Sequence, residues 1–373
     1  MEHEADVCIR GAGVVGRACA LLLARAGLRV ALVTPPAGGE GAADVRAYAL
    51  NAASRDMLES VRAWPDAQHA TPVERMQVWA DGNGAVQFDA ARQHVAALAW
   101  IVDVPALEQR LQDAIGFQPL VRCVTAPVAA PLTVVCEGRA SRTRTEFGVE
   151  YATTPYGQDA IATRLDCERP HGAVARQWFG ADGSILALLP LGGAQGNSVA
   201  VVWSVAHADT AHKLGCDDAE FTLALQEASR SALGTLTVTA PRAHWPLVQA
   251  RATHWQGRSD GAGAWVLAGD AAHAVHPLAG QGLNLGLADV AALARLLGQR
   301  APWRAVSDAR LLRRYERERK AEVRIAALAM DGLQQCLTRS DAPLIPLRNH
   351  GMNLFDRCTP LKTWVARHAM GVA

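Results

Sequence analysis

Residues 265–289 read WVLAGDAAHAVHPLAGQGLNLGLAD and contain the pattern that decides the fold. The first four, residues 265–268, are apolar and predict a buried strand. Asp270 follows at the carboxyl end of this strand, where open α/β sheets place the groups that bind ligands. We therefore predict that its carboxylate accepts hydrogen bonds from a polyol chain.

A glycine-rich loop and a helix follow the strand. Gly280 and Gly282 let the backbone approach a flat ring closely, and residues 283–297 predict a helix. The start of that helix presents free N–H groups and a positive dipole end, which suit a ring that becomes anionic on reduction, such as flavin. Incidental glycines in an ordinary strand-to-helix crossover are the alternative. The ordered run of an aspartate, a proline, two glycines and an asparagine disfavours that alternative.

A second glycine-rich turn lies near the start of the chain. Residues 6–10, DVCIR, lead into Gly11-Ala12-Gly13-Val14-Val15-Gly16, and residues 18–26 then follow a helical pattern. This is the dinucleotide fingerprint between a strand and a helix. In that motif Gly11 allows the tight turn, Gly13 the approach of the pyrophosphate, and Gly16 the close packing of helix on strand.

One member of the dinucleotide fingerprint is missing. An acidic residue is expected about twenty positions after the glycines, at the end of the second strand, where it binds a ribose. Thr34 stands at the end of that strand here. A threonine hydroxyl can bond to one ribose hydroxyl, but it cannot act as a bidentate anion.

Over nearly the whole chain, further residues carry a resemblance to a known family. Residues 44–50, DVRAYAL, are similar to a family segment whose arginine, here Arg46, approaches FAD. Residues 156–158 and 188–191 are similar to a run in the middle domain, and residues 269–286 match the second FAD signature. The chain resembles the flavin monooxygenases of the p-hydroxybenzoate hydroxylase fold and, among them, the UbiH/UbiF-type ubiquinone-biosynthesis hydroxylases.

Because the two glycine motifs build one site from distant parts of the chain, the cofactor domain must be discontinuous. The sequence predicts an α/β fold with a Rossmann-like FAD-binding domain, an inserted substrate domain on a mostly antiparallel β-sheet, and a C-terminal helical segment. Turn signals at residues 81–84 and 192–193 indicate the inserted sheet. The predicted bounds are residues 1–75, 100–150 and 240–300 for the FAD-binding domain, 76–99 and 151–239 for the substrate domain, and 301–373 for the helical region.

The resemblance implies an activity and a set of cofactors. The implied reaction is FAD-dependent hydroxylation of the aromatic ring of a polyprenylated phenol in ubiquinone biosynthesis, through a flavin C4a-hydroperoxide. FAD is the implied cofactor, NADH or NADPH the electron donor and O2 the co-substrate. Flavin carries out the difficult chemistry, while the protein orients the reactants, supplies an electrostatic field and excludes water. Contact with other ubiquinone-biosynthesis proteins is left open.

The same two motifs supply the candidate site residues. The loop from Pro277 to Asn284 is predicted to hold the flavin ring, mainly through its backbone. Pro277 and His276 are the candidate catalytic residues, because His276 and His273 flank this loop and histidine titrates near neutral pH. A structural hydrogen-bonding role for either histidine is the alternative. The predicted cofactor-binding residues are Gly11, Gly13, Gly16, Thr34, Arg46, Asp270, Pro277, Gly280, Gly282, Leu283 and Asn284.

Several departures from the family pattern lie in one half of the predicted site. Arg10 puts a charge inside a central strand, which is costly unless the charge is paired or reaches water. Glu137 replaces the aspartate of an Asp-Gly motif, Thr34 replaces the acidic residue, and residues 111–135 form a shorter stretch than in the family. These departures motivate an alternative function, a non-catalytic or weakly FAD-binding paralogue that serves as an accessory subunit of the ubiquinone-biosynthesis assembly. A flavin halogenase is disfavoured, because the Trp-x-Trp-x-Ile-Pro signature is absent.

Composition and charge restrict the classes of partner and the cellular compartment that we expect. The formal net charge of +1 over 373 residues gives no reason to expect nucleic acid as a partner. The eight cysteines show no Cys-x-x-Cys pair and no metal-like spacing, and no secretory leader pattern opens the chain. We therefore expect a cytoplasmic protein with free thiols and no metal site.

Two basic stretches lie toward the C-terminus. Residues 310–320 are densely charged and predict a solvated helix face. Residues 344–370 mix large apolar with basic side chains, a composition that suits the surface of an anionic membrane. Peripheral contact with the inner membrane and an amphipathic helix docked on its own domain are both left open.

Overall fold

The computed structural model of the chain describes residues 4–34, 44–80, 84–193, 195–259, 263–275 and 280–338, with residues 352, 355–356 and 362–363 near the C-terminus. The helices within this part are α1 (Val14–Arg25), α2 (Ala52–Ser60), α3 (Val104–Gly116), α4 (Arg142–Glu146), α5 (His207–Gly215), α6 (Asp218–Ala228), α7 (Gln281–Gly298) and α8 (Ala309–Thr338). The strands are β1 (Val7–Arg10), β2 (Val30–Val33), β3 (Ala47–Leu50), β4 (Ala70–Val73), β5 (Arg75–Trp79), β6 (Ala85–Asp89), β7 (Ala99–Asp103), β8 (Val121–Val124), β9 (Leu132–Val135), β10 (Tyr151–Cys167), β11 (Val174–Phe179), β12 (Ile185–Pro190), β13 (Ser198–Ala206), β14 (Leu236–Val238), β15 (Ala243–Ala252), β16 (Gln256–Ser259), β17 (Gly263–Leu267) and β18 (His273–Ala274).

The first sheet is the Rossmann-like one, in the order β16-β17-β9-β1-β2-β8. Its strands pair in parallel, except β16, which runs antiparallel at one edge. The four central strands β17, β9, β1 and β2 are short, mostly apolar and largely buried, as parallel strands usually are, whereas the edge strands β8 and β16 are partly exposed. Helices α1, α3 and α7 supply one of the covering layers. Because parallel strands end at one edge, both glycine motifs meet there. Residues 125–131 alone join β8 to β9, with no further helix or strand.

The second sheet is mixed and mostly antiparallel, in the order β18-β15-β10-β13-β12-β11-β5-β6, with β14 paired to β10. Only β11 and β5 pair in parallel. One face packs against α6 through large side chains, among them Ile161, Trp203 and Phe221. The predicted α/β class, with a Rossmann-like sheet and an inserted antiparallel sheet, is confirmed.

The predicted domain boundary at residue 240 needs a correction. Strand β15 follows it and was assigned by sequence to the cofactor domain, yet it pairs with the long strand β10 from Tyr151↔Ala252 to Ala162↔Ala243. The reason is the length of β10, which presents a second edge that β15 satisfies with backbone hydrogen bonds. The mixed sheet therefore continues to residue 252, and the rest of the domain division stays a prediction.

A third, three-stranded sheet was not predicted. It has the order β3-β7-β4 and is antiparallel throughout. Small and branched side chains on it, including Ala47, Ala49 and Ile101, pack against Ala175 and Ala200 of the mixed sheet. This small sheet joins the two large ones and positions the segment that carries Arg46.

The C-terminal helical segment begins with α8, as predicted. Its charged first half is not wholly solvated, because Tyr315 and Arg319 are buried. A helix that lies on a protein must turn one side inward, and these two residues occupy that side. Most of residues 344–370 lie outside the described residues, so the predicted membrane contact stays a prediction. Within the described part, no helix has the length and apolarity needed to cross a membrane.

Candidate cofactor site

The N-terminal glycine turn has the two steric demands that the sequence predicts. Gly11 has a φ of +111°, and a Cβ atom there would lie 2.4 Å from the carbonyl oxygen of Cys136. A Cβ atom on Gly16 would lie 1.8 Å from the carbonyl oxygen of Gly11. Both contacts are with backbone, which cannot move aside as a side chain can. These glycines let α1 and β9 approach the turn that follows β1.

Gly13 has a different environment from the other two glycines. No heavy atom lies within 4 Å of the place that a Cβ atom would take. Gly13 is also the N-cap of α1. It offers no side chain to accept a hydrogen bond from the first N–H groups of the helix, and the first turn has no acidic residue. Open space beside free N–H groups and a positive helix end fits a pyrophosphate.

Thr34 lies at the end of β2, half-buried, at the edge where a ribose is expected. Its backbone N–H donates to the carbonyl oxygen of Val124 at 2.9 Å, and its hydroxyl makes a long contact of 3.4 Å with the same oxygen. The side chain is thus turned toward β8. A ribose contact by Thr34 stays a prediction.

Arg10 forms ion pairs, and these offset the free energy that a charge in a central strand is expected to cost. Its Nη1 lies 2.9 Å from Oε2 of Glu146, and its Nε lies 3.4 Å from Oε1 of Glu137. Glu137 in turn accepts hydrogen bonds from the Thr143 N–H at 3.0 Å, the Thr143 hydroxyl at 2.6 Å and the Ser141 hydroxyl at 2.7 Å. Glu137 therefore accepts a free N–H of the first turn of α4 while it pairs with Arg10.

The environment of Glu137 favours its charged form. Burial alone would raise the pKa of this carboxyl, but hydrogen bonds from Thr143 and Ser141 and the charge of Arg10 outweigh burial and lower the pKa. The folded state therefore binds the proton of Glu137 less tightly than the unfolded state. The resulting stability is present above the ordinary pKa of 4.5 and is lost as the pH falls through the lowered value.

We expect Glu137→Gln to lower the free energy of unfolding at pH 7 by about 1.5–3 kcal/mol, the usual worth of hydrogen bonds to a charged group. The difference from wild type should shrink as the pH falls below 4.5. Urea unfolding between pH 7 and pH 3 measures it. Glu59→Gln is the matched control, since Glu59 pairs with Arg55 on an exposed helix face and should change stability by less than about 1 kcal/mol. A Glu137→Gln difference that is independent of pH contradicts this account.

The second motif places Asp270 directly after β17, where the sequence predicts it. Gly269 has a φ of +61°, and this left-handed residue turns the chain so that the Asp270 side chain is exposed. The Asp270 carbonyl accepts a hydrogen bond from the Tyr151 hydroxyl at 2.7 Å. The residue is exposed to solvent, yet protein atoms still crowd its carboxyl group. Partial burial there raises its pKa.

Arg46 lies close enough to Asp270 for its charge to act on that carboxyl group. Its Nε donates to Oδ1 of Asp44 at 2.8 Å and its Nη1 to the Tyr48 hydroxyl at 3.0 Å. The pairing with Asp44 raises the pKa of Arg46. The fold thus brings Arg46 near Asp270 and holds its side chain through Asp44 and Tyr48. The approach of Arg46 to FAD, which the resemblance implies, stays a prediction.

The glycine loop before α7 is described only from Gly280 onward. His276 and Pro277, the two candidate catalytic residues, lie outside the described residues. Gly280 has a φ of +66°, and a Cβ atom there would lie 3.1 Å from the Cβ of Ala49. Gly282 faces open space in the first turn of α7, and Leu283 packs on the main core. The open space at Gly282 leaves room beside this turn, and the contact of the loop with the flavin ring stays a prediction.

The side chain of Asn284, which is predicted to bind the cofactor, instead binds other parts of the protein. Its Oδ1 accepts hydrogen bonds from the Asn51 N–H at 3.0 Å and the Ser54 hydroxyl at 2.7 Å. Its Nδ2 donates to the Ala49 carbonyl at 2.8 Å. Because the side chain is buried and fully engaged, it clamps α7 to β3 and α2 and supports the loop from behind. Only the backbone of Asn284 remains for a ligand.

His273 is part of a buried network that the sequence did not reveal. Its ring is 2 % exposed, stacks on Trp255 with 4.9 Å between ring centroids, and bonds to Oδ2 of Asp289 at 2.6 Å. The structural alternative left open for His273 is therefore the one that the geometry supports. Asp289 and Arg319 were missed, although Asp289 is the single acidic residue of the apolar helix α7, a signal that could have marked it.

A cavity of about 390 Å³ opens between the three-stranded sheet and the mixed sheet. Arg164 lines it, reaches the carbonyl of Val45 at 3.2 Å, and pairs with Asp103 at 2.7 Å. Leu191 lines it as well and belongs to the apolar cluster formed by the facing sheets. The cavity is therefore lined mostly by polar side chains, with Ile101 and Leu191 as its apolar part, and Arg164 connects it to the segment that carries Arg46.

These features define a class of protein, a flavin-dependent oxidoreductase with a Rossmann-like cofactor site. The paired glycines and the open space at Gly13 fit a pyrophosphate, while Asp270 and Arg46 fit the ribityl and ring end. A family model described as FAD binding domain matches residues 89–329. The chain belongs to this FAD binding domain family, and FAD is its cofactor.

Similar proteins extend over almost the full length. The chain is 29 % identical to the 3-demethoxyubiquinol 3-hydroxylase of Escherichia coli (strain K12), over 98 % of each protein. It is 28 % identical to the ubiquinone hydroxylase UbiL of Rhodospirillum rubrum, over 99 % of this chain and 90 % of that protein. The structure of the p-nitrophenol 4-monooxygenase PnpA from Pseudomonas putida has the same fold, with a TM-score of 0.77 at 18 % identity over 99 % of both chains. The predicted FAD-dependent monooxygenase is confirmed, and O2 with NADH or NADPH is typical of that class.

Proposed function

We propose that this monooxygenase hydroxylates the aromatic ring of a polyprenylated phenol in ubiquinone biosynthesis. The observation that carries the proposal is the contact between the two FAD motifs, where Val15 of the first lies beside Gly269 and Gly286 of the second. The names of the full-length relatives, a demethoxyubiquinol hydroxylase and a ubiquinone hydroxylase, support the substrate class. Peripheral contact with a membrane through residues 344–370 and contact with other ubiquinone-biosynthesis proteins belong to the same proposal.

The walls of the cavity support a phenolic substrate. Ile101 and Leu191 line the cavity and belong to the apolar cluster between the three-stranded sheet and the mixed sheet. A flat ring needs such a surface, and a prenylated ring has no charge to balance. Polar side chains of the lining, among them Thr71 and Ser198, suit hydroxyl groups of the ring. Arg164, the cation there, is already paired with Asp103.

Each part of the site has a task in the proposed reaction. When bound, FAD supplies the reaction with O2 that delivers one oxygen atom to the ring. The first glycine turn and the start of α1 bind the pyrophosphate, Asp270 orients the ribityl chain, and Arg46 places a positive charge near the ring. Asn284 holds the ring-binding loop against β3. The apolar cluster keeps water from the reacting carbon, which limits unproductive loss of the activated oxygen.

Complementation of a deletion strain tests this function against the accessory-subunit alternative. Deletion should accumulate a polyprenylated phenol that lacks one hydroxyl group, and the wild-type gene should restore ubiquinone. The Asp270→Ala variant should fail to restore it if FAD chemistry is required, and should restore it if the chain serves only as a subunit. Protein level is controlled by immunoblot. Unchanged ubiquinone in the deletion strain contradicts the proposed substrate class.

A further inference from the structure

Asp289 lies below the second FAD motif and is completely buried. From the middle of α7 its carboxylate accepts three hydrogen bonds: from the Gly269 N–H at 2.9 Å, from Nε2 of His273 at 2.6 Å and from Nε of Arg319 at 2.8 Å. Since a carboxylate only accepts, Nε2 of His273 carries the proton in this contact. One side chain of α7 thus binds both ends of the segment from Gly269 to His273, which carries Asp270.

Arg319 supplies the counter-charge from α8. Its side chain is 2 % exposed, and its Nη2 atom is buried without a hydrogen-bond partner among the described residues. Burying a carboxylate and a guanidinium costs free energy that apolar side chains of similar size would not cost. The incompletely satisfied guanidinium adds to this cost. Overall stability alone therefore gives no reason for an ion pair at this place.

The position of the Asp289–Arg319 ion pair, next to the segment that carries Asp270, gives a functional reason for it. Asp270 is fixed on both sides: the Leu267 carbonyl before it accepts a hydrogen bond from the Tyr315 hydroxyl at 2.8 Å, and Gly269 and His273 bind Asp289. Gly269 is in the left-handed region, where a glycine has the most freedom. A charged acceptor for its N–H restricts that freedom more than a neutral one, since charge-assisted bonds are shorter and stronger.

We propose that Asp289 is a positioning residue for FAD, which sets the turn at Gly269 so that the Asp270 carboxylate meets the ribityl chain, with Arg319 as its counter-charge. The inference rests on the proposed function only for the binding of FAD at Asp270. It adds two residues, one from α7 and one from α8, to the machinery that orients the cofactor. Neither touches the cofactor, so both act through the turn.

Asp289→Asn keeps the shape of the side chain and removes its charge. We expect FAD to bind about 10- to 100-fold more weakly, the usual effect of losing an outer partner that orients a ligand group. The double variant Asp289→Asn/Arg319→Met removes both charges, so its thermal midpoint should recover much of what the single variant loses. Its FAD affinity should stay low, because Gly269 still lacks a charged acceptor. FAD titration by flavin fluorescence and thermal unfolding of the apoprotein measure the two quantities.

A core variant far from the site separates positioning from general loosening. Leu225→Ala lies in α6, fully buried in the mixed-sheet cluster, and should lower the thermal midpoint while changing FAD affinity less than twofold. If affinity instead follows the thermal midpoint across all three variants, or if both Asp289 variants bind FAD as wild type does, the inference is wrong. Should the single variant not fold, the double variant carries the same comparison.

Failure of the proposed function gives a different result. A wild-type protein that binds FAD but does not hydroxylate a prenylated phenol contradicts the proposed substrate and leaves the role of Asp289 to be decided by the affinities. A wild-type protein that binds no FAD overturns both.

Discussion

Gly13→Ala should leave the fold intact and weaken FAD binding by tenfold or more. The new Cβ atom meets no protein atom within 4 Å, and Gly13 has a φ of −74°, which alanine adopts freely. Stability should therefore stay within about 0.5 kcal/mol of wild type. The methyl group instead fills the space beside the first N–H groups of α1, where an anion gains about 1–2 kcal/mol, or roughly tenfold in affinity. FAD titration and urea unfolding measure the two effects.

Gly16→Ala, three residues further on, is the matched comparison. Its Cβ atom would lie 1.8 Å from the Gly11 carbonyl oxygen, so α1 must move away from β1. Overpacking of a well-packed core costs typically 1–3 kcal/mol, and contact with rigid backbone puts this variant at or above the upper end. Loss of stability should come first here, and loss of FAD follows from it. Equal stability of the two alanine variants, or full FAD affinity of Gly13→Ala, contradicts the assignment of the turn.

The glycine motifs can be predicted from sequence because of what their backbone geometry requires. Their demands are local: a left-handed φ at Gly11 and a close approach at Gly16 arise within one strand, turn and helix. Asp270 can be predicted for a similar reason, since the end of a buried strand in a parallel sheet is a place that the fold itself defines. Short-range sterics and sheet topology are therefore enough for most of the cofactor site.

Side-chain partners are less predictable, because they come from remote parts of the chain. Asn284 binds Asn51 and Ser54, which are at least 230 residues away in sequence. Arg10 pairs with Glu146, which is 136 residues away in sequence. The ion pair that offsets the cost of burying the Arg10 charge is therefore visible only in the folded structure. Strand β15 pairs with β10 through backbone hydrogen bonds, which no pattern of residue types predicts. The sequence thus predicts which elements meet, whereas the partners of each polar group require the fold.

Asp270 is expected to act on stability and on FAD binding with opposite signs. Its pKa is raised, mainly by burial and further by the charge of Asp289. The folded protein therefore binds the proton more tightly than the unfolded chain does. As the pH rises above the ordinary value of 3.8, ionisation of Asp270 increasingly disfavours the folded apoprotein. A group that costs stability at the end of a strand is typical of a functional position.

Asp270→Asn should accordingly leave the apoprotein at neutral pH at least as stable as wild type, with a difference that disappears toward pH 3. FAD affinity should fall about 10- to 100-fold, because the ribityl hydroxyls lose a charged acceptor worth about 1.5–3 kcal/mol. Asp270→Ala should fall at least as far. Asp113→Asn removes the same charge from an exposed position on α3 and should change neither quantity. FAD titration at pH 7 and unfolding of the apoproteins between pH 3 and pH 7 provide the test. A less stable Asp270→Asn apoprotein would assign Asp270 to the scaffold, since a residue that contacts the cofactor is expected to lower affinity when changed while the empty protein keeps its stability.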